Sequence, residues 1–318
     1  MSGTINRHLS RGWMGMLQLK NSVGRFPMIT KNTVWGGSGT KMMGINTLIW
    51  NKIMIKFALI AISFVLGGVL LGNTPRVVSL APALTELVCH LNSEKLLVGR
   101  SSACDYPRSV KNLPVVGKFG TPEVERIVAL RPTLVVGNDL MNFNVVRKLR
   151  ELKIEVIIRN VDTVEDYCFW VETLGDKLNC REAAAAELAR VKQQLQTLEN
   201  MPPLAGSLLW VVNGKPLMVA GKGSLPDLVM KLLKIRNAAA SAPKAYYKCS
   251  QEWLLRNQPD IVVWAIPGAP NARRGIWKNI PAVQKNRVIK NVSRHPVMRP
   301  GPRFLESVIE FRKNLERL

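Results

Sequence analysis

The sequence predicts an α/β protein of two lobes with mainly parallel sheets, joined by one long, rigid helix. Three observations carry the prediction. From residue 76 onward, short aliphatic runs alternate with segments of helical periodicity, the pattern of parallel strands with crossover helices. One such segment occurs twice: Glu125-Arg-Ile-Val-Ala-Leu-Arg-Pro132-Thr-Leu-Val-Val136 aligns without a gap on Glu252-Trp-Leu-Leu-Arg-Asn-Gln-Pro259-Asp-Ile-Val-Val263, 127 positions later. Each copy reads as a short helix, a turn and a buried strand, so two similar lobes are expected. Between the copies, Cys180 to Glu199 gives twenty residues without glycine or proline, in which Ala184, Leu188, Val191, Leu195 and Leu198 recur at steps of four and three. That is one amphipathic helix, placed where a linker between lobes belongs.

In chain order, Arg76 to Leu80 is a strand, and Pro82 opens a helix to about Leu91, since proline at the first helical position costs no hydrogen bond. Leu96 to Val98 is a second strand and Ser101 to Pro107 a polar loop. In the first repeat copy, Thr121 caps the helix and Pro122 opens it. Phe143 to Leu152 is helical, Glu155 to Ile158 a strand, and Thr163 to Leu174 a helix. Met201-Pro-Pro203 stops the long helix. Strands at 207–212 and 217–220 then flank a turn at Asn213-Gly214, and a helix starts at Ser224. The second copy follows, with a strand near Arg287 to Ile289 and a last helix after Pro302 that carries Phe304, Val308, Phe311, Leu315 and Leu318 on one side. The expected divisions are a leader over 1–72, an N-terminal lobe over 73–178, the connecting helix over 179–201 and a C-terminal lobe over 202–318.

At 318 residues the chain is long enough for two domains that each bury a core. Its charge bounds its partners, because 45 Lys and Arg face 22 Asp and Glu. Residues 1–72 hold eight basic residues and no acid, yet the remainder still has 37 basic against 22 acidic. Such a surplus suits polyanions, anionic headgroups or an acidic ligand. The lack of a basic helix, zinc-ligand spacing or an aromatic ribonucleoprotein motif argues against nucleic acid.

Ile53 to Leu71 is apolar apart from Lys56, Ser63 and two glycines. The part from Phe57 on has the length of a signal-peptide core and is short for a spanning helix. Export is the leading reading, and an uncleaved membrane anchor the other, since neither an Ala-x-Ala site nor a lipid-acceptor cysteine follows. A start at Met43 or Met54 would give a conventional short basic region. Cys89, Cys104, Cys168, Cys180 and Cys249 show no Cys-x-x-Cys spacing, which argues against zinc or dithiol redox chemistry. In an exported protein they leave room for one or two disulfides and at least one unpaired thiol.

From Arg76 to the end the chain resembles the substrate-binding proteins of bacterial ABC importers for cobalamin, ferric siderophores and haem, most closely the vitamin B12-binding members. The resemblance rests on Arg76-Val-Val-Ser-Leu-Ala-Pro82 with Thr85-Glu86, Gly99-Arg-Ser-Ser-Ala-Cys-Asp105-Tyr106-Pro107, and Val116-Gly-Lys-Phe-Gly-Thr-Pro-Glu-Val-Glu125 with the first repeat copy. Gly221-Lys-Gly-Ser224, Ser250-Gln-Glu252 and Arg299-Pro-Gly-Pro-Arg303 complete it. It implies the helical-backbone substrate-binding fold and a monomer without cofactor or catalysis. Ligand is held between the lobes and delivered to a permease dimer with its ATPase subunits. By the same resemblance, Glu125 and Glu252 meet arginines on the two permease subunits. Phe119 falls where an aromatic packs on the corrin ring, Tyr246 or Tyr247 where another occurs, and Ser102, Asp105 and Arg303 are further ligand candidates.

Two positions depart from the cobalamin pattern, Ala103 in place of a cleft tyrosine and Val212 in place of an aromatic. Surplus cations, among them Lys118, Lys215, Lys222, Arg273, Arg274, Arg294 and Arg299, suit an anionic ferric siderophore or the propionates of haem. The alternative is an α/β enzyme using the same cleft, with Asp105 or Glu86 as acid or base. His8, His90 and His295 are too few and too scattered for a triad or a metal site of several imidazoles. His295, beside Pro296, is either a structural loop residue or an axial haem ligand.

Overall fold

The first lobe is built on strands whose aliphatic residues are buried on both faces, as a sheet covered by helices requires. In the computed structural model the described residues are 74–138, 142–292 and 295–318. The expected leader over 1–72, with its apolar run at 53–71, lies outside them, as do His8 and Arg294. The lobe comprises β1 (Val77–Ser79), α1 (Pro82–His90), β2 (Leu97–Arg100), β3 (Gly117–Lys118), β4 (Thr121–Pro122), α2 (Val124–Ala129), β5 (Leu134–Gly137), α3 (Phe143–Glu151), β6 (Glu155–Ile158) and α4 (Val164–Lys177). Its main sheet has the order β2-β1-β5-β6, parallel throughout. Thr121 and Pro122 do not begin a helix, contrary to expectation. They pair with β3 as a hairpin, and α2 starts two residues later. Gly117 permits the reversal: at φ +133° it sits where a Cβ would stand 2.7 Å from the Cα of Pro122.

The long helix is α5 (Arg181–Asn200). Beyond it come β7 (Ser207–Gly214), β8 (Leu217–Ala220), α6 (Leu225–Leu232), β9 (Arg236–Asn237), β10 (Tyr246–Lys248), α7 (Gln251–Arg256), β11 (Ile261–Trp264), α8 (Pro281–Gln284), β12 (Val288–Lys290) and α9 (Phe304–Glu316). This sheet has the order β10-β8-β7-β11-β12, with β9 beside the start of β7. It is mixed rather than parallel, because β8 and β10 run against their neighbours. The strand read as ending at residue 212 continues through Asn213-Gly214, and the chain reverses at Lys215-Pro216.

The duplicated sequence is a duplicated structure. The bounds of α2 and β5 differ from those of α7 and β11 by 127 at every end. Ile127 and Leu254, equivalent residues, are both fully buried. β5 lies between β1 and β6, and β11 between β7 and β12, all parallel. The interior is less divided than the sequence suggests. One apolar cluster includes Val77, Val136 and Trp170 of the first lobe, Val191 and Leu198 of α5, and Trp210, Val263 and Phe311 of the second. Each sheet covers its other face with a cluster of its own, around Val78, Val135 and Leu149 in one lobe and Leu209, Val262 and Ile280 in the other.

Candidate ligand site and docking face

Phe119 and Gly120 form the tip of the β3–β4 hairpin, which holds the Phe119 ring 39% exposed. Next to the hairpin runs the loop after β2, tied to it where the Ser102 amide donates to the Gly117 carbonyl at 2.9 Å. Ser102, Asp105 and Phe119 therefore sit on two joined loops. Arg303 reaches the same place from the segment before α9, its guanidinium stacked 3.6 Å from the centroid of the Tyr106 ring. Gly301 lets that segment lie close on α1, since a Cβ there would meet the Ala83 backbone at 3.3 Å.

Four charges interlock at this junction. Arg303 donates to both oxygens of Glu86, Nε to Oε2 at 2.9 Å and Nη2 to Oε1 at 2.8 Å. Arg299 donates from Nη1 to Asp105 Oδ1 at 2.6 Å and lies 3.6 Å from Glu86 Oε1. Glu86 is only 4% exposed, and two guanidiniums supply the compensation that a buried carboxylate requires. The hydrogen bond from Arg299 holds the Asp105 carboxyl below the usual carboxylate range. A general acid or base working near neutrality needs its pKa moved the other way, so this geometry does not suit Asp105 to the enzymatic alternative. Asp105 and Arg303 also spend their strongest interactions within the protein, which joins the first lobe to the segment before α9.

The two tyrosines of β10 part company because successive strand residues face opposite ways. Tyr247 turns into the second lobe and packs edge-on against Trp253, ring centroids 5.8 Å apart. Tyr246 is 46% exposed, and burial together with the nearby Asp162 charge raises its phenol pKa. Of the pair, Tyr246 presents the solvent-accessible ring. No hydrogen bond or ring contact joins it to Ser102 or Phe119 among the described residues.

Two aromatic features escaped the sequence reading. Phe143, at the first turn of α3 after β5, is 73% exposed. Trp264 ends β11 and meets Trp277 edge-to-face at 5.3 Å. Both indoles line an open groove of about 390 Å³ at the carboxyl ends of β7 and β11, with Asn213, Lys215 and Asn271 at its polar edge. In open α/β sheets ligands bind at the carboxyl ends of strands, and this volume lies within the roughly 300–1,000 Å³ of small-molecule sites. Another void, beside α5 and Pro302, is about 10 Å³ and takes no more than one water.

Glu125 and Glu252 occupy the second position of α2 and of α7, one in each lobe, both exposed. Neither forms a salt bridge among the described residues. The Glu252 carboxyl is held below its ordinary range by its own backbone N–H and by Ser250. His295 caps a short turn, its Nδ1 accepting from the Val297 amide at 3.2 Å, which is a structural role. All five cysteines are unpaired thiols.

A two-lobed α/β chain of this topology, with a helix between the lobes and ligand-sized space at strand carboxyl ends, belongs to the class of bilobal solute-binding proteins. The chain is a member of the periplasmic binding protein family, whose sequence model matches residues 77–293. It is 26% identical to the vitamin B12-binding protein of Vibrio parahaemolyticus, over 77% of this chain and 92% of that one. With an uncharacterised ABC transporter substrate-binding lipoprotein of Bacillus subtilis it shares 23% identity, over 76% of this chain and 79% of the relative. The crystal structure of a periplasmic haem-binding protein of Vibrio cholerae superposes with a TM-score of 0.67 at 24% identity, covering 76% of this chain and 99% of that one.

Proposed function

We propose that the protein is the solute-binding component of an ABC import system, which captures cobalamin or a related metal chelate, ferric siderophore or haem, between its lobes and delivers it to a permease dimer. One observation carries the reading: an exposed glutamate, with no salt bridge among the described residues, at the same position of two structurally equivalent helices, one per lobe. A two-fold partner presents the same surface twice, and two equivalent carboxylates suit it. The names of the relatives support the ligand class and the import system. On this reading the protein acts outside the cytoplasmic membrane, exported or held by its leader, as a monomer that performs no covalent chemistry. Ser102, Phe119 and Tyr246 contact the ligand, while Asp105 and Arg303 shape the floor around it.

Native mass spectrometry of the full chain against cobalamin, haemin and ferric siderophores tests the proposal. One ligand bound per chain, recovered unchanged, is the expected result. Turnover of a ligand, or no complex with any of them, overturns it.

A further inference from the structure

The groove at the carboxyl ends of β7 and β11 combines apolar faces with positive charge. Trp264 is only 6% exposed, and its indole N–H has no acceptor among the described residues. Gly214 lies against it: a Cβ there would stand 3.6 Å from the Trp264 ring and 3.0 Å from Ile266, so glycine leaves room for the indole at the groove wall. Lys215 follows at the hairpin turn, and Arg273 and Arg274 stand four and three residues before Trp277, all three exposed. None of these cations has a carboxylate partner among the described residues. The sequence explains why, because between Asp260 and Glu306 the chain carries nine Lys or Arg and no acid. Two acids of the first lobe, Glu86 in α1 and Asp105 in the loop after β2, are already paired with Arg303 and Arg299. Positive charge here is thus left uncompensated beside an aromatic surface, a combination that favours a negatively charged ligand with a flat conjugated face.

We infer that this groove is a ligand subsite selecting an anionic, conjugated chelate over an uncharged one, with Trp264 and Trp277 bearing on its face and Lys215, Arg273 and Arg274 on its acid groups. The inference rests on the solute-binding reading and adds the charge of the cargo and the residues that read it. Carboxylated porphyrins and ferric catecholates share this chemistry, and separate arms of one experiment distinguish them.

The full chain is titrated, with tryptophan fluorescence as readout, against haemin, haemin dimethyl ester, a ferric tris-catecholate and cyanocobalamin at two salt concentrations. The expected result is that haemin or the catecholate binds at least about tenfold more tightly than cyanocobalamin, and more weakly at high salt. If haemin is the ligand, its dimethyl ester loses about tenfold. The triple variant Lys215→Ala, Arg273→Ala, Arg274→Ala, confined to exposed side chains, should lose about tenfold or more for the anionic probe and flatten its salt dependence. Trp277→Ala should weaken the same probe about tenfold, and Trp277→Phe should recover part of the loss. The inference is overturned if the triple variant binds the anionic probes like the wild type, or if cyanocobalamin binds best, while the solute-binding reading stands. If no probe binds, that reading falls, and the subsite with it.

Discussion

Glu187 is buried and still ionised because four donors converge on it. His90 Nε2 lies at 2.7 Å, the Tyr167 hydroxyl at 2.6 Å, and Arg190 donates from Nε at 2.7 Å and Nη2 at 2.8 Å. Arg190 also donates to the Pro302 carbonyl, so the carboxylate ties α1, α4 and α5 to the segment before α9. Burial alone would raise its pKa, but the hydrogen bonds outweigh that and lower it from 4.5 to about 2. A lowered folded pKa adds stability that is complete above the unfolded value near 4.5 and is lost as pH falls through about 2. The shift corresponds to about 3 kcal/mol. Glu187→Gln should therefore cost about 3 kcal/mol at pH 7, and urea unfolding should show the gap to wild type closing between pH 5 and pH 2. A gap that stays constant over that range would remove Glu187 from this role. The sequence does carry a trace of the residue, a glutamate three places after Ala184 and four before Val191 on the apolar stripe of α5. Its donors lie up to 97 positions away and are invisible to local pattern. The same distance problem hides the partners of Asp105 and Arg303, 194 and 217 residues off, which join these two expected ligand residues to other parts of the chain. Trp264, at the end of an aliphatic run, reads in the sequence as one more core residue of β11.

Elements with several turns or a full buried strand were legible, since burial imposes a period on them. α1, α3, β6 and α5 fall within a residue or two of their expected spans. The two-residue strands β3 and β4 have no period to read, and Pro122 offered a stronger local signal for a helix start than for a hairpin. Antiparallel β10 was likewise unreadable, because only its pairing with β8 defines it. Packing between elements is a further level that propensity misjudges. Gly175, inside α4, faces α5 so closely that a Cβ would stand 2.5 Å from the Ala184 Cβ. By helix propensity alone, Gly175→Ala should stabilise α4 by up to about 1 kcal/mol. Neither Cβ can move without its backbone, so overpacking of about 1–3 kcal/mol should win and the variant should unfold at lower denaturant. Adding Ala184→Gly should restore much of the loss. A Gly175→Ala protein more stable than wild type would show that α4 and α5 can separate freely.

At the scale of the molecule, the shared apolar cluster and the two buried carboxylates make α5 and α9 a common spine for both lobes. The tilted stacking of Trp210 on Phe311, ring centroids 5.5 Å apart, anchors α9 to β7 within it. Such a spine fixes the separation of α2 and α7, and with it the separation of Glu125 and Glu252. On the proposed function, docking on a two-fold permease would depend on both carboxylates at once. Charges at the rim of an interface act mainly on encounter and orientation and are screened by salt, so each contributes modestly and both should weaken together at high ionic strength. Because the two positions are structurally equivalent, Glu125→Lys and Glu252→Lys should reduce stimulation of transporter ATPase activity to similar degrees, each shifting the half-maximal concentration by roughly tenfold. The double reversal should abolish stimulation, while ligand affinity and thermal unfolding stay at wild-type values, since both side chains are exposed and make no salt bridge among the described residues. Unequal single effects would place the docking contacts mainly on one lobe, and full stimulation by the double variant would remove these glutamates from the interface.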